Sequence, residues 1–304
     1  MSRFDVVGFG ALNVDRLFRV NRIAGAEEES FITSAEEACG GSAANTIVGL
    51  ARLGCKTGFI GKASSDREGE MLLQDFLKEG VDTSGIQKAD KGRTGVVTGY
   101  VDEKGQRALY IDPGVNDTVE YGEHVLKYAS QGKLLHITSF VGEKSFQTQK
   151  KLVEKLPENV KVSFDPGALY ARKGLASIEP LIRAAFAFMP NETELRLLTG
   201  RAEPEQGADS ILEKGAKIVA VKLGGKGCYV TDGKERHFAN AFRVKVTDTT
   251  GAGDAFNAGF LYGLLKKKSF AECAVIGNFA ASRSITKMGA RTGLPTLKDL
   301  ELLR

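Results

Sequence analysis

Residues 248–260 read Asp248-Thr-Thr-Gly-Ala-Gly-Asp254-Ala-Phe-Asn-Ala-Gly-Phe260. They follow a β-branched segment, residues 242–247, which predicts a strand, and they lead into an apolar helix predicted over about residues 255–265. The first N–H groups of a helix have no partner inside it, and the helix dipole favours negative charge at this end. Because residues 251–253 are glycine or alanine, a phosphate can approach their N–H groups directly. The stretch therefore predicts an anion site where a strand passes into a helix.

Asp254 lies in the first turn of this predicted helix, beside the predicted anion site. A carboxylate repels a phosphate, and its presence is explained if it takes a proton from a hydroxyl group that attacks the phosphate. The alternative is structural: Thr249 or Thr250 caps the helix, and Asp254 complements the helix dipole. On this stretch alone, both interpretations stay open.

The same residues resemble the C-terminal signature of the ribokinase-like carbohydrate kinases, the PfkB family. In that family the last aspartate of the signature is the catalytic base, and the Gly-Ala-Gly N–H groups form an anion hole. The resemblance therefore implies that Asp254 is the base and that Gly251, Ala252 and Gly253 stabilise the transferring group. It also implies a three-layer α/β/α fold with a mostly parallel sheet and a small β-sheet lid.

A second glycine-rich stretch, Cys39-Gly40-Gly41-Ser-Ala-Ala-Asn45-Thr-Ile-Val-Gly-Leu-Ala-Arg-Leu-Gly54, opens a predicted helix of small residues. It resembles the N-terminal signature of the family, which implies that Gly40 and Gly41 admit a sugar close to the backbone and that Asn45 contacts it. Close packing of this helix on a sheet, with Asn45 as a cap, is the structural alternative. The narrower ribokinase pattern has a lysine where this chain has Ser42, so the resemblance to ribokinase itself is incomplete.

Near the N-terminus, a buried strand is predicted over residues 4–9, and Gly8-Phe-Gly10-Ala-Leu-Asn13-Val-Asp15 follows. Gly-x-Gly after a strand is similar to the dinucleotide-binding fingerprint of dehydrogenases, but Asn13 replaces the third glycine and no helical pattern follows. In the PfkB family, the Asn and Asp at this place bind sugar hydroxyls in front of the lid. The resemblance therefore assigns Asn13 and Asp15 to the acceptor, whereas hydrogen bonds within a turn are the structural alternative.

Alternating sequence over residues 16–36 and 94–111 predicts short strands outside the main sheet. The resemblance implies that they form the lid, and that residues 1–304 are one carbohydrate kinase domain with the lid inserted in it. One face of the lid is expected to cover the acceptor. The other face is expected to carry apolar residues such as Leu17, Phe18, Val97 or Tyr110. An apolar face on so small a sheet predicts a homodimer that pairs lid to lid.

Strand and helix patterns alternate between residues 133 and 189, which predicts a mostly parallel sheet covered on both faces. Ligands of such sheets bind beyond the carboxyl ends of the strands, and Asp165, Asn191 and Asp248 all follow predicted strands. Asn191 and Glu194 share one side of the first turn of a predicted helix. Asn-x-x-Glu is a common helix cap, but in the family it positions magnesium and phosphate.

The turn Leu223-Gly224-Gly225-Lys226-Gly227 joins two predicted strands, and such a turn is by itself only a hairpin. In the family, the equivalent turn lies over the nucleotide, an asparagine lies beside adenine, and a loop near the C-terminus helps to hold a monovalent cation. The nucleotide site implied by the resemblance consists of Lys222, Gly224, Gly227 and Asn278. The implied site for a cation such as K⁺ consists of Asp248, Thr250 and Gly289.

The overall composition narrows the class of protein. The 304 residues are 42% hydrophobic and 26% charged, as is usual for a soluble globular protein. A small net charge of +4 argues against nucleic acid as the main partner. No apolar run is long enough to span a membrane and no signal peptide is evident, so a cytoplasmic location is expected. The four cysteines and three histidines are isolated in the sequence, which predicts neither a zinc site nor a disulfide framework.

The resemblance covers nearly the whole chain and implies a kinase that uses ATP and Mg²⁺ to phosphorylate a hydroxyl of a small carbohydrate, ribose- or fructose-like. A nucleoside kinase is the main alternative, because the base of a ribonucleoside could fill the space left by the short Ser42. A NAD-dependent dehydrogenase is more distant, since Asn13 breaks its fingerprint. A sugar-binding protein without catalysis is equally distant, since it has no need of Asp254 beside an anion hole.

Overall fold

The computed structural model describes residues 2–303, and its larger sheet has nine strands within this range. In spatial order they are β13 (Arg236–Ala239), β12 (Cys228–Thr231), β11 (Ile218–Lys222), β10 (Ala185–Phe188), β9 (Lys161–Phe164), β8 (Gly132–Ile137), β1 (Phe4–Phe9), β4 (Thr57–Ser64) and β5 (Ile86–Ala89). All neighbours from β11 to β5 are parallel, and only β12 runs antiparallel to its two neighbours. The predicted mostly parallel sheet is confirmed.

Helices cover both faces of this sheet. One layer contains α1 (Ser42–Arg52), α2 (Arg67–Lys78), α9 (Ala252–Leu265) and α10 (Phe270–Ser284). The other contains α3 (Glu123–Ala129), α4 (Glu143–Lys155), α5 (Gly167–Lys173), α6 (Leu175–Ala184), α7 (Glu192–Thr199) and α8 (Pro204–Glu213). Neighbouring side chains of β1 point into different layers, since Val6 belongs to the core under α1 and Val7 to the core under α4. This arrangement confirms the three-layer α/β/α fold.

Four further strands form a separate small sheet, the lid, in the order β3 (Ile32–Gly40), β2 (Asn13–Val20), β6 (Gly95–Val101) and β7 (Arg107–Asp112). Strand β2 is antiparallel to β3 and parallel to β6, and β6 is antiparallel to β7. Strand β2 begins earlier than residue 16, the expected start of the lid. Asn13 and Asp15 therefore lie within a lid strand rather than in front of it.

The lid has two different faces, and the expected grouping of its apolar residues was wrong. Leu17 and Val97 lie on the face of Asp15, which looks towards the main body, whereas Phe18 and Tyr110 lie on the opposite face. Consecutive residues of a strand point to opposite sides, so Leu17 and Phe18 cannot share a face. The outward face instead carries an aromatic row. In it the ring of Tyr100 lies between Phe18 and Tyr110, with centroid distances of 5.6 and 6.1 Å.

The strand expected over residues 242–247 is absent from the structure, which has no regular element there. Strand β13 already forms this edge of the sheet, and the apolar side chains of the segment turn towards a cleft beside α10 instead of pairing. Phe242 packs against Phe279 of α10, with ring centroids 5.7 Å apart. Asp248 consequently does not follow a strand, contrary to the expectation. No helix in residues 2–303 has the length and apolar character needed to cross a bilayer.

Candidate active site

The N-termini of α1 and α9 lie side by side at the carboxyl edge of the main sheet, and Asp254 joins them. Its Oδ1 accepts a hydrogen bond of 2.6 Å from Oγ of Ser42, and its Oδ2 accepts one of 2.8 Å from Nδ2 of Asn45. Thr46 of α1 also donates to the backbone carbonyl oxygen of Asp254, at 3.3 Å. The two glycine-rich stretches of the sequence therefore meet at one carboxylate.

The environment of Asp254 suits a group that accepts a proton near neutral pH. Burial raises its pKa to about 6, although the hydrogen bonds from Ser42 and Asn45 lower it. Among charged neighbours, Asp165 raises the pKa of Asp254 and Lys222 lowers it. A general base is most effective when its pKa lies close to the working pH.

The start of α9 leaves room for an anion. Its N-cap is Gly251 in the left-handed conformation, with φ at 74°, and no side chain caps the helix. The alternative in which Thr249 or Thr250 caps this helix is therefore wrong. The hydroxyl of Thr250 binds the carboxylate of Asp248 instead, at 2.7 Å. The backbone at residues 251–253 is thus presented to the cleft without a competing side chain.

Asp15 reaches the same cleft from strand β2 of the lid. It lies against Gly40, where a Cβ atom would come within 2.2 Å of its Oδ2, so a larger residue at position 40 would displace the Asp15 carboxylate. No protein group within residues 2–303 hydrogen-bonds the Asp15 side chain. Burial raises the pKa of Asp15 to about 6, an effect that Arg291 opposes and Asp254 adds to. A partly buried carboxylate without a protein partner is suited to accept hydrogen bonds from ligand hydroxyls.

Asn13 is held by Asn116, a residue to which the sequence assigned no role. Nδ2 of Asn116 donates to Oδ1 of Asn13 at 2.9 Å and to the carbonyl oxygen of Leu12 at 2.8 Å. Oδ1 of Asn116 accepts from the N–H of Leu12, also at 2.8 Å. These bonds occupy the oxygen of Asn13 and leave its amide NH₂ without a partner in the described part of the chain. Since Asn13 lies in a strand, the alternative of hydrogen bonds within a turn does not apply.

The residues expected around a nucleotide line one cleft of about 490 Å³ on the other side of Asp254. Its lining includes the polar side chains of Lys222 and Asn278 and the backbone of Gly224, Gly227 and Gly253. Its apolar lining includes Phe242, Val244, Phe256 and Ile285. Nδ2 of Asn278 donates to the carbonyl oxygens of Ala239 and Asn240, at 2.9 and 3.1 Å, and so fixes the chain that follows β13.

Asn191 and Glu194 form the helix cap that was the structural alternative for this motif. Oδ1 of Asn191 accepts from the N–H of Glu194, and Oε2 of Glu194 accepts from the N–H of Asn191, both at 2.8 Å. The cap leaves Oε1 of Glu194 and Nδ2 of Asn191 without partners in residues 2–303. Burial and the nearby Asp165 carboxylate raise the pKa of Glu194 to about 7, although Lys222 lowers it. A buried carboxylate oxygen of this kind fits Mg²⁺, which often binds one or two carboxylates together with substrate phosphates.

Lys222 brings a positive charge to the anion site. Its Nζ lies 2.5 Å from Oδ2 of Asp165, which also accepts a hydrogen bond of 2.6 Å from Nδ2 of Asn257. Burial alone would raise the pKa of Asp165, but the Lys222 ammonium and these hydrogen bonds lower it. A Cβ atom placed on Gly253 would lie 3.5 Å from Nζ of Lys222, so the ammonium adjoins the backbone of the anion site.

The three residues expected around a monovalent cation meet at one loop junction. Oδ1 of Asp248 accepts from the N–H and the hydroxyl of Thr250, and Oδ2 accepts from the N–H of Gly289 at 2.9 Å. Because these donors occupy the carboxylate, a cation here would depend mainly on backbone carbonyl oxygens of the loops. Arg107 of lid strand β7 donates to the hydroxyls of Thr249 and Thr250, at 3.3 and 3.1 Å, and ties the lid to this junction.

Comparison with known proteins adds independent information. A family model described as pfkB family carbohydrate kinase matches residues 3–297. The chain is 46% identical over 255 residues to an uncharacterized sugar kinase of Archaeoglobus fulgidus, covering 83% of this chain and all of that relative. It is 31% identical over 311 residues to the 2-dehydro-3-deoxygluconokinase of Bacillus subtilis, covering 98% and 94% of the two chains. The structure of Arabidopsis thaliana ribokinase complexed with ribose and ATP superimposes with a TM-score of 0.89 at 25% identity, covering 100% and 99%.

Proposed function

The chain belongs to the pfkB family of carbohydrate kinases, and we propose that it transfers the γ-phosphoryl group of ATP to a hydroxyl group of a sugar or sugar-like molecule. The observation that carries this proposal is the position of Asp254, a carboxylate with a pKa of about 6 beside a helix N-terminus that no side chain caps. Asp254 takes the proton of the acceptor hydroxyl. Gly251, Ala252 and Gly253 offer N–H groups to the charge that develops on the transferring group.

The acceptor lies between the lid and the start of α1. Asp15 accepts hydrogen bonds from hydroxyl groups, and the free NH₂ group of Asn13 donates to them. Gly40 and Gly41 let the acceptor come close to the backbone. Asn45 adjoins the reacting hydroxyl through its hydrogen bond to Asp254. A ribose- or fructose-like sugar satisfies these groups.

A nucleoside is the second candidate acceptor, and one observation favours it. The inward face of the lid carries apolar side chains above Asp15, including Leu17, Val97 and Leu109. A sugar alone leaves this apolar surface uncovered, whereas a nucleobase attached to ribose can pack against it.

ATP lies in the cleft lined by Lys222, Gly224, Gly227 and Asn278. The Lys222 ammonium stabilises the negative charge of the transferring phosphoryl group. Mg²⁺ bound with ATP would neutralise phosphate charge, and Asn191 and Glu194 are the residues that would hold it, through the Oε1 of Glu194 that the helix cap leaves free. A monovalent cation such as K⁺ would be held at the junction of Asp248, Thr250 and Gly289, mainly by backbone carbonyl oxygens of these loops.

At the level of the whole protein, residues 1–304 form one kinase domain in which the four-stranded sheet is the lid. The outward aromatic row of the lid pairs with the same row of a second subunit, which gives a homodimer. We assign the enzyme to the cytoplasm, where ATP and small sugars are available. Neither nucleic acid nor a membrane is needed for the reaction.

The test is a screen for ATP consumption with ribose, fructose, other ketoses, 2-keto-3-deoxygluconate and ribonucleosides as acceptors. The expected result is one class of acceptor that stimulates ATP consumption, with a phosphorylated product identified by phosphorus NMR, and no stimulation in Asp254→Asn. A parallel assay of nicotinamide absorbance with the same compounds tests the dehydrogenase alternative. Binding of a sugar without any acceptor-dependent ATP consumption would contradict the proposal and favour a sugar-binding protein.

A further inference from the structure

The loop after α10 carries a buried arginine, Arg291, which is 8% exposed. Its Nε donates to Oδ1 of Asn45 at 2.8 Å, and one terminal nitrogen donates to the carbonyl oxygen of Gly40 at 3.1 Å. The other terminal nitrogen pairs with the carboxylate of Asp75 on α2. The guanidinium carbon also lies 5.6 Å from the centroid of the Phe76 ring. Groups from β3, α1 and α2 therefore fix this side chain in one orientation.

The contact with Arg291 decides how the amide group of Asn45 is turned. A guanidinium can only donate hydrogen bonds, so the atom of Asn45 that faces Nε must be the carbonyl Oδ1. The nitrogen Nδ2 is then turned to the other side, where it donates to Oδ2 of Asp254 at 2.8 Å. Without the arginine, the amide could rotate by half a turn and present its oxygen to the carboxylate, which would remove a donor and bring two oxygens together.

We propose that Arg291 is a positioning residue for phosphoryl transfer, because it fixes Asn45 as a hydrogen-bond donor to Asp254 and so holds this carboxylate towards the acceptor. The inference rests on the proposed role of Asp254 as the base and deepens it. Arg291 itself touches neither Asp254 nor the anion site. Its second contact, with the carbonyl oxygen of Gly40, also steadies the backbone against which the Asp15 carboxylate packs.

Several other charged groups surround Asp254 and must be kept constant in a test. They are Asp15 on β2, Asp165 after β9, Glu194 on α7 and Lys222 at the end of β11. Arg291→Lys leaves all four in place and keeps the positive charge beside Asp75. A lysine ammonium is a compact donor that cannot reproduce the fork of a guanidinium, so its pairing with Asp75 draws it away from Asn45. The variant therefore separates the hydrogen bonds of the guanidinium to Asn45 and Gly40 from its charge, and Asn45→Ala then isolates the link to Asp254.

The experiment measures the titration of the Asp254 carboxyl group by carbon NMR in the full chain without ligands. The signal is assigned as the one that Asp254→Asn removes. In Arg291→Lys, we expect the pKa of Asp254 to rise by about half a unit or more, because a hydrogen bond to the charged form is lost. With the acceptor found by screening, kcat at pH 7 should fall roughly 10-fold. The acid limb of the plot of kcat against pH should move to higher pH, and the KM for ATP should stay unchanged.

The control for stability is Tyr128→Phe. It removes the hydrogen bonds of the Tyr128 hydroxyl to Asp82, at 3.1 and 2.8 Å, on the opposite edge of the sheet. It should lower the melting temperature without moving the Asp254 titration. If Arg291→Lys does not fold, Asn45→Ala tests the same link, since it removes the donor to Asp254 and should move the titration in the same direction.

Two results would overturn the proposal. One is an Asp254 titration in Arg291→Lys that coincides with that of the unmodified protein, and the other is an unchanged titration in Asn45→Ala. Either would leave Arg291 as a structural residue only. Because the titration needs no substrate, it is independent of the acceptor. An error in the role of Asp254 would appear separately, as near-normal turnover in Asp254→Asn.

Discussion

Lys222 and Asp165 form an ion pair at the carboxyl end of the main sheet, with 2.5 Å between Nζ and Oδ2 and with side chains only 12% and 7% exposed. Because both side chains are largely removed from water, each charge needs the other, since an unpaired buried charge is far less stable than a paired one. The pair therefore holds the Lys222 ammonium group in one position, next to the backbone of Gly253.

The first prediction is that Asp165→Asn lowers the free energy of unfolding at pH 7 by about 3–5 kcal/mol, because it leaves the largely buried Lys222 ammonium without its ion-pair partner. The pKa of Asp165 is lowered in the folded state, so this contribution is present at neutral pH and is lost as the pH falls through that pKa. Urea denaturation at pH 7 and in acid measures it.

A matched control for this pair exists on the surface. Glu143→Gln breaks the pair of Glu143 with Lys173, in which the carboxylate is 60% exposed, and should cost less than about 1 kcal/mol. Equal losses in Asp165→Asn and Glu143→Gln would show that the buried pair does not support the fold. The double variant Asp165→Asn with Lys222→Met should be more stable than Asp165→Asn alone.

The second prediction concerns Asp254. Asp254→Asn should lower kcat by roughly 10²–10⁴-fold, with little change in ATP affinity or melting temperature. In the unmodified enzyme, the base works in its ionised form, so kcat should fall as the pH drops below about 6. Steady-state kinetics on both sides of this pH, from about pH 5 to about pH 8, measure both effects.

Ser269→Ala separates catalysis from helix-start chemistry. Ser269 caps α10 away from the cleft through a hydrogen bond to the N–H of Glu272, and its loss should lower stability by about 1 kcal/mol without changing kcat. If Asp254→Asn resembles Ser269→Ala, losing stability and keeping turnover, then Asp254 is only a helix-start acid.

The sequence predicted the features that depend on local pattern and order. Apolar runs separated by helical patterns indicated the parallel sheet, and glycine next to polar residues at helix starts marked both ends of the site. The strand predicted over residues 242–247 is wrong, because a strand needs a neighbouring strand to pair with and β13 already forms the edge of the sheet. Leu17 and Phe18 were grouped on one face although the alternation along a strand was available in the sequence.

The partners of the site residues could not be predicted, because they join distant parts of the chain. Asn116 and Asn13 are 103 positions apart, and Arg291 and Asn45 are 246 apart. A single sequence contains no signal for such pairs. The expectation that Asn191 and Glu194 serve a ligand stays a prediction, since the structure uses part of both side chains for the cap of α7.

The third prediction concerns Glu194, whose pKa of about 7 lies above the value of 4.5 for an exposed glutamate. The folded state holds the proton more tightly than the unfolded state does, so stability falls as the pH rises from about 4.5 to about 7. Glu194→Gln removes this loss, and glutamine still accepts the cap hydrogen bond. It should raise the melting temperature of the ligand-free protein at pH 8 and leave it unchanged at pH 4, while kinase activity falls.

Glu272 lies in the same kind of helix cap, but its pKa is lowered, so its effect on stability has the opposite pH dependence. Its hydrogen bonds with Lys268 and Ser269 lower its pKa to about 2, so Glu272→Gln should lower stability at pH 8 and lose this effect only in strong acid. Melting curves of both variants at the two pH values make the comparison. Destabilisation of Glu194→Gln at pH 8 would contradict the idea that a buried carboxylate is kept there for a ligand.

The fourth prediction separates the acceptor site from the nucleotide site. Asn13→Ala and Asp15→Ala should raise the acceptor KM, because losing a hydrogen-bond partner of a buried polar group costs about 1–3 kcal/mol. Asn116→Ala should act in the same direction by releasing Asn13. Asn278→Ala should raise the KM for ATP instead. If the two KM values respond the other way round, the two sites have been exchanged.

The last prediction concerns the outward face of the lid. Tyr110 is 63% exposed there and continues the aromatic row of Phe18 and Tyr100. Exposed apolar patches of this kind are typical of protein–protein interfaces, and a two-fold axis would cover the same face on both subunits. Light scattering of the unmodified protein should therefore give twice the chain mass of 32.6 kDa. The Tyr110→Glu variant should give the mass of a single chain.

Phe238 is the matched control for this experiment, because it is 61% exposed but lies on β13, away from the lid. Phe238→Glu should leave the dimer intact, which shows that loss of an exposed aromatic side chain is not enough to separate the subunits. Since a lid without its partner is less ordered, Tyr110→Glu should also raise the acceptor KM while the KM for ATP stays the same. A fully active unmodified protein of 32.6 kDa would contradict the dimer and leave the assignment of Asp254 untouched.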